Sequence, residues 1–508
     1  MKNQNRRVFL KHIGLATAAF AHPRLLLPAA QNKQPNILFI MSDDHAVNAV
    51  SCYGSRLQSV MQTPNIDRLA KEGARLDHCF CTNSICVPSR ATIMTGQYSH
   101  VNKVYTLRDK LNPASPNVAK LLQDNGYQTA LFGKWHLSVD PDGFDDWNVL
   151  PGQGRYHNPV LIDKTGHEQV YKGHSTDVIT DLTLAWLENH ENKRPFFLMC
   201  QFKAPHERWE YADRYRNFLK HTDLPDPESM WEDKGHRSPG SREYGYTLET
   251  MAGRLARENY HTETALDTSD LNNRQIRKAA YQQFVKMYLR TIKGVDDNVG
   301  RLLNYLDDHQ LTENTVVIYT SDQGYFLGEH DYIDKRWMYE ESLRMPFVVR
   351  YPKEIPSDSV NKDIIINPDF APTFLDYAGM PTPDRMQGRS FRKNLSGHSP
   401  EDWRQAMYYR YWMHCSRPAH MGVRTQRYKL IFFYGQPLDM TGTDPEPTKT
   451  GWELYDLKTD PLEMQNLYSD PGYRNIVIEL KQELKRLRQD LGDTDENYPV
   501  MQEIFKAY

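Results

Sequence analysis

The chain has no apolar run near the roughly 20 residues needed to cross a bilayer. It also has no basic excess: 62 Lys and Arg stand against 65 Asp and Glu, a formal net charge of -3. Nucleic-acid binding therefore has no electrostatic support. Cysteine is sparse, with six residues at positions 52, 79, 81, 86, 200 and 415. There is no Cys-x-x-Cys spacing, and Cys79-x-Cys81 is too tight for a zinc knuckle. Mostly free, buried thiols with at most one disulfide are expected. Internal repeats and low-complexity segments are absent as well. What is left is a globular composition, 39% hydrophobic and 25% charged over 508 residues, enough for two domains.

The N-terminus carries Arg6-Arg7 ahead of a short apolar stretch, Ile13 to Ala21. This pattern resembles a twin-arginine export signal within residues 1–30, so a periplasmic or exported protein is expected. Export by that route follows folding, which leaves time for a cysteine to be modified in the cytoplasm.

Beyond the signal, Asn36 to Met41, Gln128 to Leu131, Phe196 to Phe202 and Thr315 to Thr320 are apolar runs of strand length. They alternate with helical patterns at Thr63 to Ala70, Val118 to Asn125, Thr180 to Glu188 and Phe284 to Leu306. The expectation for residues 31–385 is an α/β domain on a large, mixed but mostly parallel sheet covered by helices on both faces. Residues 386–508 read as a smaller α+β domain. Strands at Met407 to Trp412, Met421 to Tyr434 and Trp452 to Leu457 would form an antiparallel sheet, followed by an amphipathic helix at Ile476 to Leu491. Residues 207 to 275 are polar, aromatic and irregular, and are expected to form a lid or substrate-binding insertion.

The chemistry gathers at the carboxyl ends of the apolar strands, where ligands bind in open α/β sheets. Asp43 and Asp44 follow the first strand, Lys134 and His136 the second, His206 the third, and Asp322 and Gln323 the fourth. The acids and the amide make an all-oxygen set suited to calcium or magnesium. Adjacent Asp43 and Asp44 can share a cation only if the chain turns there. Cys86-Val87-Pro88-Ser89-Arg90 runs on to Thr95-Gly96; Pro88 suits a first helical turn and Gly96 the end of a helix. Cys86 and Arg90, four apart, would then face one space at the helix's positive end, a place for an anion.

Cys-x-Pro-Ser-Arg with Thr-Gly resembles the signature of the type I sulfatases, in which the cysteine is oxidised to Cα-formylglycine. Asp43-Asp44, Gly133-Lys134-Trp135-His136, Ala204-Pro205-His206, Asp322-Gln323-Gly324 and Lys335-x-x-x-Tyr339-Glu340 follow the same family in order. The departure is Gln323, where asparagine is common. The resemblance implies a sulfuric ester hydrolase matured by a formylglycine-generating or radical maturase. It implies one calcium held by Asp43, Asp44, Asp322, Gln323 and modified Cys86, with Arg90, Lys134, His136, His206 and Lys335 around the sulfate. It also implies a mechanism: a hydrated formylglycine attacks sulfur, His206 or Lys335 protonates the leaving oxygen, and His136 helps release sulfate. The substrate side resembles bacterial sulfatases for glycosaminoglycan or mucin sugars, including 6-O-sulfated N-acetylglucosamine. Algal polysaccharide sulfatases and phosphoester or phosphodiester hydrolases of the same superfamily remain alternatives.

Sugar selectivity is expected from the 207–275 insertion, from His330, between the metal strand and Lys335, and from the segment Tyr411 to Arg424, with Trp209, Trp412, His414, His420 and Arg424 as the candidate contacts. Lys335 itself is placed on a helix running to Tyr339.

Overall fold

A computed structural model describes residues 34–191, 194–258, 260 and 263–507. The export-type segment expected at 1–30 lies outside the described residues.

Ten strands form the main sheet. In chain order they are β1 (Asn36–Ser42), β2 (Ala74–Leu76), β3 (Gln128–Gly133), β4 (Asp146–Val149) and β5 (Val160–Asp163). They continue as β6 (Glu168–Val170), β7 (Phe196–Phe202), β8 (Thr315–Ser321), β9 (Phe347–Arg350) and β10 (Ser359–Asn361). Their spatial order is β10-β2-β9-β8-β1-β7-β3-β4-β5-β6. The central run β8-β1-β7-β3-β4 is parallel, while β9, β5 and β6 pair antiparallel toward the edges. The sheet is mixed and mostly parallel, as expected.

The apolar runs alternate between faces, as strand geometry requires. Ile37, Phe39, Met41, Phe197, Met199 and Ile318 pack on one side against helices that carry Val87, Leu122 and Phe374. Leu38, Ile40, Leu198, Cys200 and Val317 pack on the other against Ile66, Ile179, Val295 and Leu302. Strands buried on both faces cannot afford polar positions in mid-run, so the polar residues fall at the strand ends.

The second sheet is an antiparallel meander of β11 (Ala406–Tyr411), β12 (His420–Thr425), β13 (Tyr428–Phe433) and β14 (Gly451–Asp456). A helix at Arg474–Leu491 covers it through Val477, Leu480 and Leu484, and Gly492 ends that helix in the left-handed region at φ 73°. Phe80, Ile85, Tyr98, Trp337 and Tyr339 join the meander's core, so the described residues from Gln34 onward make one compact unit.

One element differs from expectation. The long helix spans Asn273–Asp308, starting well before Phe284, because Asn272 and Gln275 cap each other's backbone N–H groups. The 207–275 stretch, expected as a lid or a substrate-binding insertion, is anchored to the body of the protein. Trp209, Tyr211, Tyr215, Met230, Leu248 and Met251 form a buried core with Phe284, Tyr288 and Ile292 of that long helix.

Candidate active site

Strand register builds the floor of the site. Ser42 pairs with Ser321 on one side and with Phe202 on the other, so Asp43, Asp322 and Lys203 emerge level with one another. Asp44 adopts φ 72°, the turn that lets two adjacent carboxylates serve one place. Its backbone N–H donates to Asp322 Oδ1 at 3.1 Å. Carboxylate oxygens of Asp43, Asp44 and Asp322 all lie within 4.8 Å of one another. On the neighbouring strand, β3 ends at Gly133 with φ 110°, where a Cβ would lie 2.0 Å from the Gln201 carbonyl oxygen. Only glycine lets the chain pass so close and deliver Lys134.

The cysteine helix spans Cys86–Thr95 and ends at Gly96, φ 65°, as its sequence requires. Cys86 Sγ donates to Asp43 Oδ1 at 3.3 Å. Arg90 Nε donates to Asp322 Oδ2 at 3.0 Å, its Nη1 donates to the Lys134 carbonyl at 2.5 Å, and its Nη2 lies 3.6 Å from Asp43 Oδ2. Lys134 Nζ pairs with Asp43 Oδ2 and donates to Gln153 Oε1 at 2.6 Å. Lys335 Nζ donates to Asp44 Oδ2 at 2.6 Å. His206 Nε2 is 3.7 Å from that oxygen, and the other ring nitrogen donates to the Glu207 carbonyl at 2.8 Å. Gln323 Nε2 donates to Asp44 Oδ1 at 2.5 Å, while its Oε1 is buried with no hydrogen-bond partner.

Electrostatics divide the three acids. Burial raises Asp43, but Lys134, His206, Arg90 and Lys335 outweigh it and hold the carboxyl well below its usual range. Burial lifts Asp44 to about 6, with Lys335 opposing and Asp43 adding to the rise. Asp322 is pushed to about 7, by burial first and by the charge on Asp43 next. Burial and the charge on Lys134 push His136 down to about 2, leaving it neutral with a buried, unpartnered Nδ1. Cys86 is raised beyond the usual thiol range by burial and Asp43, so as a plain thiol it stays protonated and is a poor nucleophile.

Above this floor lies a cavity of about 180 Å³ lined by Asp44, Cys86, Leu107, Gln153, His206, Glu207, Tyr246, Arg254, Tyr325, Asp334, Lys335, Arg336 and Cys415.

Residues 35–380 match the Sulfatase family, and residues 328–490 match the family described as N-sulphoglucosamine sulphohydrolase, C-terminal. The chain belongs to the sulfatase family. This sulfatase is 38% identical to the N-acetylglucosamine-6-O-sulfatase of Bacteroides thetaiotaomicron, over 97% of its own length and 93% of the relative's. A solved structure of a protein in complex with its substrate D-glucosamine-2-N,6-O-disulfate superposes with a TM-score of 0.85. That pair is 39% identical and covers 92% of this chain and 100% of that one. The phosphonate monoester hydrolase of Agrobacterium radiobacter shares the fold alone, with a TM-score of 0.70, 20% identity, and 90% of this chain and 96% of that one covered.

The structure therefore brings Asp43, Asp44, Cys86, Arg90, Lys134, His206, Asp322, Gln323 and Lys335 into one site. His136 stands beside them at φ 60°, so it reaches the site through a turn and not through extended alternation.

Several expectations do not survive. Lys335 is not on a helix: it stands between Asp334 (φ 77°) and Arg336 (φ 83°), and the following helix begins only at Glu340. His330 is fully buried, its Nδ1 bonded to Glu232 and its ring against Phe326 and Tyr339, so it cannot touch a sugar in the cavity. Trp209 packs on Phe284, and Trp412 on Tyr105. His420 is enclosed by Trp337, Tyr409, Tyr411 and Phe433. His414 bonds the Gly442 carbonyl, and Arg424 pairs with Glu340 over the Phe80 ring. None of these six lines the cavity.

The wall is made instead by other residues, several of them in the segments expected to carry selectivity: Glu207, Tyr246 and Arg254 in 207–275, and Cys415 between Tyr411 and Arg424. Gln153 lies in the Pro151-Gly152-Gln153-Gly154 turn. Asp334 and Arg336 could have been found from their adjacency to Lys335. Tyr246, Arg254 and Cys415 fall within the expected segments but carry no local signal that singles them out.

Proposed function

We propose that this sulfatase removes the 6-O-sulfate of N-acetylglucosamine, or of a closely related sulfated glucosamine, in glycosaminoglycan- or mucin-type saccharides. We assign it Cys86 converted to Cα-formylglycine by a maturase, one calcium ion, and an exported, periplasmic location. The observation that carries the reading is the convergence of Cys86, His206 and Lys335 on one small cavity over a floor of three carboxylates.

The donor set fits calcium: three buried carboxylates in mutual reach, plus an amide oxygen, Gln323 Oε1, that has no partner. Asp43, Asp44, Asp322 and Gln323 would hold the ion, which would supply fixed positive charge beside position 86. A hydrated aldehyde at position 86 supplies two hydroxyls, one to take the sulfo group and one to release it, which a thiol cannot do. Among the described residues, the two groups able to converge on a cation both include Asp43, so they mark one place.

The remaining chemistry belongs to the side chains. Arg90, anchored on Asp322 and the Lys134 carbonyl, holds the cysteine helix against the acids. Lys134 against Asp43 and Lys335 against Asp44, both buried, provide charge for sulfuryl oxygens. His206, fixed through its bond to the Glu207 carbonyl, turns Nε2 inward, from where a proton would pass to the departing sugar oxygen. His136, neutral and unpartnered at Nδ1, is placed to accept one. Arg336, Asp334, Tyr246 and Arg254 remain on the wall to meet the sugar.

Incubating the mature enzyme with a panel of regio-defined sulfated saccharides, algal ones included, tests the reading. Release of sulfate from the 6-position of glucosamine units is the expected result. Exclusive release from algal oligosaccharides, or hydrolysis of phosphodiesters alone, would overturn it.

A further inference from the structure

A second cavity, of about 550 Å³, shares Gln153, His206 and Glu207 with the first and extends away along Arg155, Tyr156, Lys203 and Arg208. Lys203 leaves the end of β7 level with Asp43 and is only 4% exposed. Among the described residues its ammonium makes no hydrogen bond or ion pair; Nζ lies 4.7 Å from the Tyr156 ring centroid, and the carboxylates of Asp43, Glu210 and Asp44 act on it only from beyond ion-pair distance. The same tyrosine's hydroxyl donates to the His206 carbonyl at 2.5 Å, tying the wall of this cavity to the catalytic one.

A buried cation without an anionic partner is costly unless a ligand completes it. Burial, and then the charge on Lys134, lower Lys203 to about 8, a cost that an arriving anion would relieve. At the rim, Arg155 and Arg208 are exposed. Of the two acids lining the cavity, Glu207 is paired with Arg254 at 3.0 Å, which leaves Glu210 alone against three cations.

Resting on the reading of this chain as a saccharide sulfatase, we propose that this cavity is a subsite for a second anionic group of the substrate. Lys203 is its buried anchor, and Arg155 and Arg208 are its entrance. The group is an oxyanion, either a further sulfo group on the sugar being desulfated or a carboxylate on its neighbour. The enzyme thus selects saccharides carrying two negative groups.

The test compares kcat/KM of the mature enzyme on four substrates. They are glucosamine 6-sulfate, glucosamine 2-N,6-O-disulfate, a disaccharide joining a uronic acid to 6-sulfated glucosamine, and a small aryl sulfate. One of the doubly anionic sugars should exceed the monosulfated sugar by about 10-fold or more, and Lys203→Met should erase that advantage through KM. The same variant should leave the monosulfated sugar and the aryl sulfate within about two-fold. Which sugar loses its advantage identifies the sulfo group or the carboxylate. Should Lys203→Met fold poorly, the exposed Arg155→Ala and Arg208→Ala variants should show a smaller loss confined to the same sugar. Equal losses on all four substrates, or none, would overturn the subsite while leaving the saccharide reading intact. Turnover of the aryl sulfate with no sugar hydrolysed would instead remove the saccharide reading, and the subsite with it.

Discussion

Arg90 and Asp322 are joined at 3.0 Å across two elements far apart in sequence, the cysteine helix and the end of β8. The contact fixes position 86 over the carboxylate floor. Arg90→Lys, which keeps the charge but loses the forked geometry, should therefore cut kcat/KM by roughly 10-fold or more. Retention of full activity on an aryl sulfate would show that the helix needs no such anchor.

Peptide mass spectrometry should find residue 86 lighter than cysteine by about 18 Da, the exchange of a thiol and a hydrogen for an aldehyde oxygen. Cys86→Ala should lower turnover by at least roughly three orders of magnitude while leaving the melting temperature close to that of the unmodified chain. An alanine variant with substantial activity would contradict a nucleophile at this position.

Asp322→Ala should lose bound metal and activity together, because it removes one of the three carboxylates that share the site. Elemental analysis before and after chelation checks this. Calcium at one ion per chain is expected, whereas stoichiometric zinc would not fit the oxygen donors.

His330→Ala should slow sugar sulfates and aryl sulfates alike, since the ring lies behind the cavity, bonded to Glu232. Its main effect should be a stability loss of about 2 kcal/mol, from a buried hydrogen bond and a small void. A loss confined to the sugar substrate would mean that the ring reaches the cavity after all.

Four buried histidines, His45, His174, His330 and His420, are lowered by burial to about 4. The unfolded chain, with imidazoles near 6.5, binds more protons than the folded one in the window between. Stability should therefore be present above about pH 6.5 and fall as the pH drops toward 4. His420 donates through Nδ1 to the Pro418 carbonyl, and its Nε2 is buried without a partner, so protonation there would add an unsatisfied donor. In thermal melts across this range, His420→Phe should flatten the slope. An unchanged slope would rule His420 out as a contributor.

The amino-acid sequence by itself determined the strands, the cysteine helix and most of the floor of the site. Doubly buried strands must be continuous apolar runs, and their polar residues can stand only where the runs stop, as Asp43, Lys134, His206 and Asp322 do. Pro88 and Gly96 likewise bound their helix by local backbone chemistry. What the tertiary structure decided is which polar and aromatic side chains face the cavity. His330 is turned away by Glu232 and Ser229, about 100 residues earlier in the chain. Lys335 is held off a helix by neighbours in the left-handed region, one of which, Asp334, is clamped by Arg417 of the C-terminal part at 2.8 Å. Trp209, Trp412 and His420 were spent on core packing, a choice made by partners distant in sequence. Lys203, in turn, gains meaning only because the fold buries it beside Tyr156 without an acid to pair with. Periodicity and turn chemistry are local and can be read along the chain, whereas burial, pairing and orientation depend on residues that meet only in the folded state.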